Sequence, residues 1–122
     1  MIVIDEDVYA YDGSGTGANE VIVVTGAFDQ ARVVQALDKA GERMMLVDTD
    51  GHEHRTIDEV SEAGAYTPSY FSDPVVTERG VEMYLDTGGV IESGMGETLR
   101  RVLREELARV VTDARVSDNS PQ

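Results

Sequence analysis

Near the C-terminal end of this chain Leu99, Val102, Leu103, Leu107, Val110, Val111 and Ala114 recur three or four residues apart. At 3.6 residues per turn these positions form one apolar stripe along a single helix, with charged residues on its other side. Such a helix is stable only when the stripe is covered. The rest of the chain, or a second copy of it, must therefore supply an apolar surface of similar length. The spacing predicts a helix over 96–114.

The candidates for that surface lie upstream. Residues 2–11 (IVIDEDVYAY) are β-branched and aromatic and read as a strand or a tight hairpin bent at Asp5-Glu6-Asp7. Residues 20–25 (EVIVVT) form a short apolar run, the pattern of a fully buried strand. Phe28, Ala31, Val34 and Leu37 then recur at helical spacing up to Gly41, predicting a helix over 27–40. Residues 43–55 read as a hairpin closed by Asp50-Gly51, the preferred two-residue turn. Thr56-Ile57-Asp58-Glu59 matches a capping box, with Gly64 as the stop of a short helix over 57–63. Val81 to Leu85 alternates as a strand. Short strands with hairpin signals and helices at intervals predict an α+β fold: an antiparallel or mixed sheet of about five or six strands, two main helices and one short helix packed on one face.

A chain of 122 residues with 41% hydrophobic content makes one domain with a real core, expected over 1–115, with 116–122 as a disordered polar tail. No run approaches the length of a membrane helix, and the start Met1-Ile2-Val3-Ile4 followed by Asp5-Glu6-Asp7 lacks a secretory pattern. No cysteine is present, which removes disulfides and thiolate chemistry. The expected location is the cytoplasm, without membrane attachment.

Charge narrows the setting. Twenty-four acids face ten basic residues for a net −14, and Lys39 is the one lysine. A surface so acidic repels itself at low ionic strength, whereas molar salt shortens the Debye length to about 3 Å and screens that repulsion. Carboxylates and arginine also hold water better than the long hydrocarbon stem of lysine. In composition the chain resembles proteins of halophilic archaea that accumulate salt. Acidic clusters are then background, and Asp5-Glu6-Asp7 on its own marks no metal site.

Four places invite a functional reading. His52 and His54, the two histidines, lie close to Asp48 and Asp50, and imidazole with carboxylate suits a transition metal. Hairpin geometry argues against it: with Asp50-Gly51 as the turn, His52 and His54 share a face with Val47 while Asp48 points away, so no metal is expected there. A calcium loop also fails, because Glu53 stands where that loop requires glycine. Residues 88–96 are glycine-rich and open the terminal helix, where free backbone N–H groups attract anions. The run Gly94-Met95-Gly96-Glu97 and the helix after it resemble the pyrophosphate loop of the GNAT family of N-acetyltransferases, over about fifteen residues. Ile91 stands at that motif's Arg/Gln position. A phosphate-bearing ligand, a nucleotide or coenzyme A, is the expectation for this loop, held by Gly89, Ser93, Gly94 and Gly96.

Tyr66, Tyr70 and Phe71 gather three of the seven aromatic residues in one loop, either as an interface anchor or folded inward. Five of the nine arginines lie between Glu97 and Arg115; set against four acids there they leave +1, while residues 1–96 carry −14. Glu97, Arg101, Glu105 and Arg109 form a ladder of alternating sign four residues apart. Arg100 and Arg104 remain as a basic step for an acidic surface or, less favourably at high salt, a nucleic acid. No catalytic constellation assembles, and no cofactor is expected. The reading that results is an acidic, salt-adapted module acting through protein–protein contact, with itself as a homodimer or with another protein. The alternatives are a small enzyme or sensor with a phosphate-bearing ligand at 88–96, and a nucleic-acid regulator using the C-terminal helix.

Overall fold

Two β-branched and aromatic runs at the N-terminus form a hairpin: β1 (Ile2–Asp5) and β2 (Val8–Asp12) run antiparallel, joined through Glu6 and Asp7. A computed structural model describes the chain except residues 14, 16–18, 27, 49, 63–69, 87–89, 93 and 120–122, and only the backbone of 19, 61, 70, 71, 86, 92, 109 and 111–119. After the hairpin come β3 (Asn19–Val24), α1 (Gln30–Met44), α2 (Ile57–Glu62), β4 (Tyr70–Phe71), β5 (Val75–Thr77), β6 (Gly80–Asp86), a 3₁₀ turn (Val90–Glu92) and α3 (Gly96–Asn119). The fold is α+β. Six strands form one sheet in the order β1-β2-β3-β6-β4, with β5 pairing the same edge of β6 as β4, and every pairing is antiparallel.

The core lies on one face of that sheet. Val8 and Ala10 of β2, Ile22 and Val24 of β3, and Val81, Met83 and Leu85 of β6 point to it. Against them pack Val33, Leu37, Ala40 and Met44 of α1 and Leu99, Val102, Leu103, Leu107 and Val110 of α3. The stripe of α3 is thus covered within the chain, along its described length, by the sheet and by α1. Val111 and Ala114 lie where only the backbone is described.

Helix limits depart from the sequence pattern for local reasons. Expected over 27–40, α1 begins at Gln30 because the Asp29 carboxylate caps it, accepting the Ala31 and Arg32 N–H groups at 3.1 and 3.4 Å. It passes through Gly41 to Met44, which is 1% exposed. Burying that side chain outweighs the penalty of about 1 kcal/mol for an interior glycine. α2 follows expectation closely: Thr56 Oγ1 accepts the Glu59 N–H and Glu59 accepts the Arg55 N–H. α3 continues to Asn119, beyond the expected 114.

The hairpin expected over 43–55 is corrected. The helix claims the first of these residues, and among the described residues one bridge, Val47 to Glu53, joins the arms around the Asp50-Gly51 turn. The segment 65–74, expected as a loop, includes the strand β4.

Candidate functional site

Register places the second face of the sheet residue by residue. One cross-strand row runs Val3, Tyr9, Val23, Glu82, Val75 from β1 to β5, and a second runs Tyr11, Val21, Tyr84. These residues alternate with the core residues and so point away from α1 and α3. Val3, Val75 and Tyr84 are 55, 50 and 44% exposed, while Val21 and Val23 are almost fully buried.

Gly13 lies against Val21, where a Cβ would collide with Val21 Cγ2. Tyr9 and Tyr11 sit two residues apart on the same strand and stack with centroids 6.1 Å apart. From the turn between β5 and β6, Arg79 reaches back across β6 and β3 to β2. Its Nη2 donates to the Tyr11 hydroxyl at 3.0 Å, and its guanidinium carbon lies 5.6 Å from the Tyr11 ring centroid. The same Nη2 donates to Glu82 Oε1, and Thr77 Oγ1 donates to Glu82 Oε2. Arg79 therefore reaches from the β5–β6 turn to β2 and is held there by Tyr11 and Glu82.

The electrostatics of this contact are self-contained. Glu82 is 5% exposed, and its carboxyl is held below the ordinary range by the Thr77 hydrogen bond first, with Arg79 assisting against the cost of burial. The Arg79 guanidinium is held protonated still more firmly by the Tyr11 and Glu82 bonds. The two charges cancel. The centre of this face thus consists of valines, tyrosines and one neutralised ion pair, on a chain of net −14.

A second constellation surrounds Asp48. This residue is 5% exposed; its Oδ1 accepts the Asp50 and His52 N–H groups at 2.9 and 3.0 Å, and its Oδ2 lies 2.7 Å from His54 Nε2. His52 Nδ1 is 3.7 Å from the same oxygen. The expected geometry, with Asp48 pointing away from the histidines, is overturned. The bridge pairs Val47 with Glu53 instead of His54, and that shift of one residue sets Asp48 opposite His52 and on the same face as His54. The chemistry is that of a structural clasp, since one carboxylate oxygen is engaged by backbone and the other by imidazole. Among the described residues no group of three or more His, Asp or Glu is arranged to hold a metal.

The glycine-rich loop leans on this clasp. Gly51 has φ +89°, and a Cβ there would lie 2.6 Å from Gly94 O. Thr98 Oγ1 donates to Gly51 O. At Gly96 a Cβ would come within 3.3 Å of Ile2 Cδ1 and of Val90 O, so glycine there answers to packing beneath β1. The carboxylate of Glu20, fully buried at the end of β3, accepts the Ile91 N–H at 3.1 Å, and Glu97 stands in the first turn of α3. Of the residues expected to hold a phosphate, Gly96 opens α3, Gly94 lies in the turn before it, and Gly89 and Ser93 lie outside the described residues.

The remaining candidates are dispersed. Arg104 Nε donates to Ile4 O on edge strand β1 at 3.2 Å, while Arg100 Nε is buried with no hydrogen-bond partner among the described residues. Arg101 pairs with Glu53 at 2.7 Å and with Glu105 at 3.2 Å, a rung of the expected ladder. Tyr66 and the side chains of Tyr70 and Phe71 fall outside the described residues. The sequence reading missed the face itself. Its signal was present: the run Val21-Ile22-Val23-Val24 is apolar at every position, which requires cover on both faces, and Tyr9 and Tyr11 alternate with buried Val8 and Ala10. No protein family, curated protein or solved structure matches this chain.

Proposed function

We propose that this protein is an interaction module adapted to a salt-rich cytoplasm, and that it meets its protein partner through the sheet face of Val3, Tyr9, Tyr11, Tyr84 and Val75. One observation carries the reading: Val3, Tyr84 and Val75 border a sheet face whose central charges, Arg79 and Glu82, are paired with each other, on a chain of net −14. Depletion of charge with enrichment in tyrosine is the compositional mark of an interface centre. Val3, Val75 and Tyr84 are each about half exposed, so a partner would remove apolar surface from water that the fold leaves there.

Other ligands have less support. Tyrosines on an open sheet can stack bases, but such platforms work with a positive groove, and the cation on this face is neutralised by Glu82. A phosphate at 88–96 would approach Glu97 at a helix start already packed against the Gly51 turn. The basic step on α3 has Arg104 engaged with Ile4.

A photo-crosslinking residue placed at Tyr84, and separately at Lys39 on the exposed side of α1, tests the proposal. In cells grown at high salt, the Tyr84 derivative is expected to give discrete protein adducts that the Lys39 derivative does not. Equal labelling at both positions would remove the face as a special surface.

A further inference from the structure

We infer that α3 carries an anion site on its Arg100–Arg104 face, which takes a doubly charged tetrahedral oxyanion: the phosphate group of a small molecule, or free phosphate. The site lies on the helix side of the sheet and is independent of the face of Val3, Tyr84 and Val75.

Helical spacing builds it. Gly96, Arg100 and Arg104 follow one another at four-residue steps and form one row along α3. Gly96 lies against Ile2, and Arg104 Nε donates to Ile4 O at 3.2 Å. The row therefore runs beside edge strand β1, with Arg100 midway along it. An open groove of about 350 Å³ follows the row, lined by Glu97, Arg100, Arg101, Arg104 and Glu105.

Arg100 carries the inference. It is half-buried, its Nε is closed off from solvent, and no hydrogen bond or ion pair engages its guanidinium among the described residues. Buried donors in folded proteins are almost always satisfied, and one that is not marks an occupant or a role. Burial of Nε restrains the guanidinium and leaves its Nη groups as the donors that a ligand meets. Arg104 is restrained as well, because its bond to Ile4 O uses Nε. Two positioned guanidinium groups thus turn their remaining donors to one groove.

Charge selects the ligand. Arg101 is engaged by Glu53 at 2.7 Å and Glu105 at 3.2 Å. Glu97 bonds neither Arg100 nor Arg104 among the described residues, so two cations stand against one carboxylate on a chain of net −14. Chloride is a poor match, since a single atom cannot meet a planar fork at two points. Phosphate brings two charges and three acceptor oxygens, so both guanidinium groups are met at once. Here, unlike at the glycine-rich loop, two guanidinium groups outweigh Glu97. Molar salt screens the long-range repulsion of the acidic surface and leaves hydrogen bonds at contact distance.

NMR of the arginine Nε–H groups in about 2 M KCl tests the site, with inorganic phosphate and then methyl phosphate as titrants. The Arg100 and Arg104 signals are expected to shift together and saturate at millimolar phosphate, while the Arg79 signal, held by Glu82, stays in place. Arg100→Gln is expected to weaken phosphate binding at least about tenfold, read at the Arg104 signal with circular dichroism unchanged. Arg104→Gln, at an exposed position, is expected to do the same at the Arg100 signal. Tighter binding of methyl phosphate assigns the site to a phosphorylated small molecule, and tighter binding of inorganic phosphate assigns it to the free ion. No shift, a shift that grows without saturating, or shifts led by the Gly94 and Gly96 amides overturns the inference. So does an affinity that both substitutions leave unchanged.

Discussion

Asp48 shows how much a single buried carboxylate can organise. Its carboxyl is held below its ordinary value of 3.8, first by the His54 hydrogen bond and then by the His52 and Asp50 N–H groups, which together outweigh burial. A depressed folded value contributes stability above the unfolded value, and that contribution disappears as pH falls through the folded one. The urea midpoint is therefore expected to fall as pH drops from about 5 to about 2, and Asp48→Ala to flatten that dependence. At neutral pH Asp48→Ala should cost about 2–4 kcal/mol, read by the same denaturation, because it leaves two turn N–H groups and an imidazole without their acceptor. Gly51 supports the same turn from its backbone. With φ at +89° and Gly94 O where a Cβ would fall, Gly51→Val is expected to destabilise by about 2 kcal/mol or more and to loosen the start of α3, visible as faster amide exchange at Thr98 and Leu99.

Between elements, ion pairs tie what the core brings together. Arg43, in the last turn of α1, bonds Glu53 in the turn and Glu105 and Glu106 on α3 at 2.9, 2.9 and 3.0 Å. Burial works against its charge, but the three carboxylates outweigh burial and hold the guanidinium protonated more firmly than usual. Arg43→Met would leave three carboxylates crowded without their cation. A loss of about 1–3 kcal/mol in chemical denaturation is expected, with part recovered by adding Glu106→Gln. The apolar seam beside this network is worth more: Leu103→Ala removes a fully buried side chain facing the sheet and α1, and a loss of about 2–5 kcal/mol is expected in the same measurement. At this scale the sequence was most legible where periodicity was long. The stripe of α3, the run of β3 and the hairpin at Asp5-Glu6-Asp7 all fold as their patterns indicate. Gly41 misleads because the glycine penalty is local, whereas the burial of Met44 depends on a sheet its neighbours in sequence do not reveal. β4 and β5 go unread because two- and three-residue strands carry too little alternation to register, and both owe their pairing to β6.

For the molecule as a whole, charge crowding leaves a mark on the fold. The Asp38 carboxyl is raised above its ordinary range by burial first, then by Asp73 and Glu42. A raised folded value is stabilising below it and unfavourable once the group ionises, so Asp38 works against the fold at neutral pH. Multiplied over a surface of net −14, that repulsion predicts salt dependence of the monomer itself. Dialysis from about 2 M KCl into buffer of about 0.01 M ionic strength is expected to lower the melting temperature by at least about 10 °C, and an unchanged melting curve would count against the proposed salt adaptation.

Composition and periodicity determined the charge, the single apolar stripe and the α+β class, because each depends on which residues occur and at what spacing. Register decided the rest. Val3, Tyr9, Tyr11 and Tyr84 are scattered over 82 positions of sequence and become one surface only when β2, β3 and β6 align. Pairing in a sheet is a contact between distant segments, and no local pattern specifies which strand lies beside which. The clasp of Asp48 and His54 has the same origin: six residues apart in sequence, they meet because Val47 pairs with Glu53, one residue from the register a two-residue turn would set.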